Sequence, residues 1–182
     1  MAHLVPPDLL VVAAFSRHVA ALDWARNRLL GEFGPVALES PRYAFHHTNY
    51  YSATMGTELQ KQLFAFVDLI DPARLADIKQ RTIAMEAELA KCGQYPEPRP
   101  LNLDPGLLNL GKFMLASTKD NAQRIYLRDG IYAEVTLRFQ EDAFQPYPWT
   151  YRDYQEPFVR EFLKQARGFH RQQSAVRGTS PV

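Results

Sequence analysis

The chain has 182 residues, 46% of them hydrophobic, with 21 basic against 20 acidic side chains and a formal net charge of +1. That length and composition fit one domain with a sizeable core. The near-neutral balance argues against a duplex nucleic-acid binder, and no apolar run approaches the roughly twenty residues needed to span a bilayer.

A single cysteine, Cys92, allows no internal disulfide and no zinc-ligand spacing, which fits a reducing cytoplasm. The run Leu9-Leu10-Val11-Val12-Ala13-Ala14-Phe15 resembles a signal-peptide core. However, no Lys or Arg precedes it, Asp8 abuts it and Arg17 follows at once. A first strand is the better reading, and the expected setting is cytoplasmic.

In chain order, Leu9–Phe15 is apolar on both faces, as a central strand requires. Ser16 is the candidate N-cap of an amphipathic helix carrying Val19, Leu22, Leu29 and Leu30 and stopping at Gly31. Phe33-Gly34-Pro35 turns the chain into a short strand, Val36–Ser40, followed by an irregular aromatic segment from Tyr43 to Gly56. Leu59 to Ile70 is predicted as a strand. Asp71-Pro72 caps and starts a second helix, whose buried stripe is Leu75, Ile78, Thr82, Ile83, Met85 and Leu89 and which ends at Gly93. The stretch Tyr95–Pro100 is a stiff proline-rich connector.

The segment from Arg99 to Leu137 carries the candidate chemistry. Asn102-Leu103-Asp104-Pro105-Gly106 reads as a turn shaped by the Asp104 side chain, leading into an apolar strand that ends at Leu115-Ala116-Ser117-Thr118-Lys119. A hairpin follows. Taking Arg128-Asp129-Gly130 as a three-residue loop, with Gly130 left-handed, places Leu127 opposite Ile131 and Ile125 opposite Ala133 on a buried face. The other face then pairs Tyr126 with Tyr132 and Arg124 with Glu134, and Thr136 and Arg138 continue that polar row. A last helix is expected from about Glu156 to Phe169, with Phe158, Phe162, Leu163, Ala166 and Phe169 inward. Residues 171–182 are expected to form a disordered tail behind a single domain of residues 1–170. The order of elements indicates an α+β class: a ferredoxin-like sheet with an added β-hairpin and its helices mainly on one face.

The motifs so gathered include Phe33-Gly34-Pro35, Thr48-Asn49-Tyr50-Tyr51, Met55-Gly56, Ile78-Lys79, Asn102–Gly106, Leu115–Lys119, Arg124–Leu127, Gly130–Leu137, Trp149-Thr150-Tyr151 and Asp153-Tyr154. Together they resemble the prokaryotic domain-of-unknown-function family 4416, whose members are uncharacterised and often auto-named as GTP-binding proteins. The chain has no Gly-x-x-x-x-Gly-Lys-Ser/Thr loop, so the phosphate-cradling nest behind such a name is missing. It departs from the family pattern at Asn49 (Asp is typical), Thr54 (Glu), Gln123 (His) and Arg152 (Pro), so the resemblance assigns no role to those four positions.

Acid–base or metal chemistry has candidates in His46, His47, Glu58, Asp104, Glu134 and Asp153, at spacings that match no compact metal motif. A divalent metal is therefore an open option without an assigned site. The pair Arg124 and Glu134 reads either as a simple cross-strand ion pair or as a guanidinium held ready for an anion. Lys119, with Lys61 or Lys79, adds positive charge. The aromatic groups Tyr43, Phe45, Tyr50, Tyr51 and Trp149, Tyr151, Tyr154 can stack on a planar ligand or close a minor core. No Gly-x-Ser-x-Gly elbow surrounds Ser117, and no glycine fingerprint follows the first strand, which excludes a serine-hydrolase elbow and a Rossmann cofactor site.

The expected site is a cleft on the sheet face for a small anionic molecule, such as a nucleotide or another phosphorylated metabolite. In it Glu134 and Asp104 would act as base or metal ligand. Arg124, Lys119, Tyr126, Tyr132, Asn102, Ser117, Thr136, Tyr50, Tyr51, Trp149 and Asp153 would bind the ligand. The alternative is a non-catalytic sensing or interaction module, including a homodimer joined through sheet or aromatic surface.

Overall fold

The computed structural model describes residues 5–45 and 51–176. Nine strands form one antiparallel sheet: β1 (Asp8–Ser16), β2 (Val36–Glu39), β3 (Tyr43–Phe45), β4 (Leu59–Ile70), β5 (Asn102–Leu108), β6 (Lys112–Ser117), β7 (Ile125–Arg128), β8 (Ile131–Gln140) and β9 (Ala143–Pro146). Their order is β2-β4-β1-β5-β6-β8-β7, with β3 added to β4 and β9 to β8. The first four places follow the βαββαβ order of a ferredoxin-like core, so the fold is α+β. Among the described residues no helix is long and apolar enough to cross a membrane.

Four helices cover the two faces: α1 (Val19–Phe33), the short α2 (Ser52–Met55), α3 (Leu75–Lys91) and α4 (Pro157–Val176). Alternation sorts the strand side chains. Leu10, Val12 and Ala14 pack with Phe64, Phe66, Leu103 and Leu107 against α1 and α3. Leu9, Val11 and Ala13 pack with Leu63, Ala65, Leu108, Phe113, Leu115 and Leu137 against α4. Helix α4 thus covers the face opposite α1 and α3. Phe158, expected inward, is 47% exposed and packs edge-on against Tyr43, while Val159 takes the core position.

Several boundaries move for local reasons. Ser16 does not cap α1; its hydroxyl accepts from His18 N at 3.0 Å and donates to the Pro100 carbonyl at 2.6 Å. The helix passes Gly31 and stops at Gly34, where φ is +84°. Helix α4 runs seven residues past Phe169, with His170 and Ser174 continuing its buried face. Residues 177–182 lie outside the described part.

The hairpin keeps the expected pairing of Ile125 with Ala133 and Tyr126 with Tyr132, but its turn differs. Arg128 pairs with Ile131 around a two-residue Asp129-Gly130 turn, both residues at positive φ, as a type I′ turn needs. The extra residue is absorbed as a bulge at Leu127 rather than in the loop. As the sheet's last strand β7 is exposed, with Ile125 at 73% and Leu127 at 40%, so the β7 half of the face expected to be buried is open, while Ile131 on β8 is buried as expected. A second irregularity lies where β8 runs along β6: Met114 pairs with Val135, but Phe113 pairs with Leu137. Thr136 is the added residue. From there the parity of β8 reverses, and Leu137 takes the face that Thr136 and Arg138 were expected to occupy.

The largest correction concerns Asn102–Gly106, which is no turn but the first part of β5. Gly106 is required by close approach: a Cβ there would lie 2.4 Å from the Met114 carbonyl oxygen and 2.7 Å from the Phe113 ring. Gly106→Ala is expected to lower the unfolding free energy by about 1–3 kcal/mol through overpacking. Urea unfolding of the two proteins measures this, and equal midpoints would contradict it.

Candidate functional site

Strands β5 and β6 are paired only at Gly106–Leu108. Beyond that they part, and Asn102–Pro105 pairs with β1 alone. Pro105, which has no N–H to offer a neighbour, sits in this one-sided stretch. A free edge leaves main-chain groups that must still find partners. At Leu103 they find side chains of α3: Leu103 N donates to Glu86 Oε1 at 2.7 Å, and the Leu103 carbonyl accepts from Lys79 Nζ at 2.8 Å. Two charged side chains stand in for a strand.

The gap forms a cavity of about 510 Å³, reaching from Lys79 and Arg99 on the α3 side to Lys61, Glu134 and Asp153 on the other. Its floor and walls hold three cation–carboxylate pairs, and a fourth pair joins the lining Arg99 to Glu86 behind it. Lys61 meets Asp153 at 2.6 Å, Lys79 meets Asp104 at 3.1 Å, Arg99 meets Glu86 at 2.9 Å and Arg124 meets Glu134 at 2.7 Å. Exposed Lys119 and Arg152 also line it.

Arg124 ties the cavity together. Its Nε donates to Glu134 Oε2, one terminal nitrogen donates to Ser117 Oγ at 2.7 Å and to the Lys119 carbonyl at 3.0 Å, and the other donates to the Tyr151 hydroxyl at 2.6 Å. Four of its five N–H groups are thereby committed within the protein. It is therefore a brace between β6, β8 and the segment above, not a fork left open for a ligand.

That segment, 149–154, forms the roof. Trp149 Nε1 donates to the Val135 carbonyl at 2.9 Å, and the Thr150 hydroxyl donates to the Thr136 carbonyl at 2.5 Å. Lys61, 2% exposed, is fixed by Asp153 and lies 4.5–5.5 Å from the ring centres of Tyr154, Phe45 and Phe15. Such contacts favour a desolvated cation.

Burial opposes ionisation of Asp104, but Lys79 and Lys61 outweigh it and hold this carboxyl below its ordinary value of 3.8. Burial pushes Glu86 the other way, above 4.5, against Lys79 and Arg99. Burial also raises the Tyr151 phenol, partly offset by Arg124. Three buried polar atoms on cavity-lining residues have no partner among the described residues: Glu134 Oε1, Asn102 Nδ2 and the Tyr154 hydroxyl.

Of the residues singled out from sequence, Glu134, Asp104, Arg124, Lys119, Asn102, Ser117, Tyr51, Trp149 and Asp153 line this one cavity. Tyr126 and Tyr132 do not; they pack edge-on against each other, 5.3 Å between ring centres, with Tyr126 57% exposed at the sheet edge. Thr136 is buried by the β8 bulge and contributes only its carbonyl, to the roof. Tyr50, Asn49, His46 and His47 lie outside the described residues. Asp104 takes Lys79 instead of shaping a turn. Among the described residues no group of three or more His, Cys, Asp or Glu side chains is placed to hold a metal ion. Glu86, Arg99 and Arg152 were not foreseen as site residues. Gln123 approaches Glu134 Oε2 at 3.4 Å.

The fold and site define an α+β protein with an ion-paired, aromatic-roofed cavity opened between two strands. The chain belongs to the family described as Domain of unknown function (DUF4416), which matches residues 6–169. No curated protein and no solved structure matches it.

Because the Asp104 carboxyl is depressed in the folded state, its stabilising charge is fully present above pH 3.8 and is lost as pH falls through the lower value. Asp104→Asn is expected to lose this acid limb, giving a shallower fall in unfolding free energy below pH 3.8. Parallel acid limbs in urea titrations of the two proteins would contradict the assignment.

Proposed function

We propose that this protein binds a small anionic molecule, a nucleotide or another phosphorylated metabolite, in the cavity between β5 and β6. The observation that carries the reading is the charge around the cavity: six lining cationic side chains against four carboxylates, three in the lining and Glu86 behind Arg99, walled by aromatic rings. Low-dielectric walls focus such a field and raise the local concentration of anions. Lys119 and Arg152 are the cations closest to solvent and would meet the anionic group. The four paired cations would set the potential without moving. The near-neutral chain and its single cysteine favour a cytoplasmic setting.

A second reading, an interaction module, is favoured by one separate observation: the sheet ends in β7 with Ile125, Tyr126 and Leu127 all exposed. A bare apolar edge is a template for strand addition. The partner in that reading is a second copy of the chain.

Calorimetric titration with phosphorylated metabolites and nucleotides tests the first reading. Binding is expected to weaken as salt is raised and to fall about tenfold or more in Lys119→Glu/Arg152→Glu, with unchanged thermal stability. No binding by any phosphorylated compound would overturn it. A dimeric mass in solution that Ile125→Lys returns to monomer would establish the second.

A further inference from the structure

We infer that the ligand of this cavity is a phosphate ester bearing hydroxyl groups, which Glu134 Oε1 and Asn102 Nδ2 recognise at two separate points. This rests on the anion-binding reading above and goes further by assigning the non-anionic part of the ligand.

The orphaned atoms have fixed identities. Asn102 Oδ1 accepts from Arg99, and a guanidinium has only donors, so the Asn102 amide cannot turn over and Nδ2 stands as a donor. Glu134 Oε2 is taken by Arg124 Nε, which leaves Oε1 as an acceptor only. Both side chains are nearly fully buried and both line the cavity. A buried polar atom without a partner costs free energy, so a ligand that supplies the missing partners gains more than an ordinary hydrogen bond.

A bare anion fails this test. Phosphate can accept from Asn102, but its oxygens repel the Glu134 carboxylate. The ligand must offer a donor to Glu134 and an acceptor to Asn102. Glu134 on β8 is level with Gly106 across β6, and Asn102 lies four residues farther along β5, so the two backbone positions are roughly 16 Å apart and their side chains reach the cavity at separate points. A single amide edge does not span that distance. A hydroxyl both donates and accepts, and a ring carrying several hydroxyls presents them at separate points. The Tyr154 hydroxyl, the third orphan, adds one more such contact.

Two sources share this chemistry: a free sugar phosphate and a ribonucleotide. Titration of the unmodified protein with inorganic phosphate, ethyl phosphate, ribose 5-phosphate and AMP separates them. Ribose 5-phosphate or AMP is expected to bind at least about tenfold more tightly than ethyl or inorganic phosphate. A preference for AMP identifies a nucleotide site, and a preference for ribose 5-phosphate a sugar-phosphate site. Asn102→Ala is expected to reduce the hydroxyl preference severalfold while sparing binding of ethyl phosphate. Equal affinity for all four compounds, or tightest binding of inorganic phosphate, overturns the inference and leaves the anion-binding reading standing. Absence of binding by all four overturns both.

Discussion

The main chain of Leu103 is paired with side chains, and the rest of the site depends on that substitution. In a continuous sheet β6 would take both the N–H and the carbonyl of this residue. Here Glu86 and Lys79 take them, so β5 and β6 are free to part. The parting makes the cavity, exposes Asn102 and Asp104 to it, and lets Lys79 reach through from a helix on the far face. Remove the side-chain partners and the cheapest repair is to close the strands, which would abolish the cavity.

Four ion pairs around one cavity are a poor way to stabilise a domain. Desolvating two charges costs about as much as their attraction returns, and apolar replacements of similar volume are often as stable or more so. Lys61 sits among three aromatic rings and would be readily replaced by a hydrophobic residue on packing grounds alone. Retained charge in such a place is the pattern of a functional site. Arg124, with four of its five N–H groups engaged by Glu134, Ser117, Lys119 and Tyr151, holds floor to roof.

Much of this was legible in the sequence. A continuous apolar run gave β1, β4 was read as a strand from Leu59 to Ile70, and period-two parity in the hairpin placed Arg124 against Glu134. The order of elements led to the ferredoxin-like core and the motifs to the family. What escaped has definite causes. Pro105 and Gly106 are local turn signals, but the one-sided pairing of β5 accommodates Pro105 and the close approach of Met114 and Phe113 requires Gly106. The bulge at Thr136 is one added residue with no sequence mark, yet it reverses every side chain after it and removes Thr136 and Arg138 from the polar row. Lys79 and Glu86 did leave a trace: they lie seven apart on the stripe of Leu75, Thr82 and Leu89, where an amphipathic helix has no reason to keep charges.

The central claim is that the buried charges serve a ligand and not the fold. Replacing one pair with apolar residues of similar size, Lys61→Met with Asp153→Leu, and measuring unfolding free energy and phosphate-ester affinity on the same protein tests it most directly. Stability within about 1 kcal/mol of the unmodified protein, or above it, together with affinity reduced tenfold or more, is the predicted result. A large loss of stability with affinity unchanged would contradict the account.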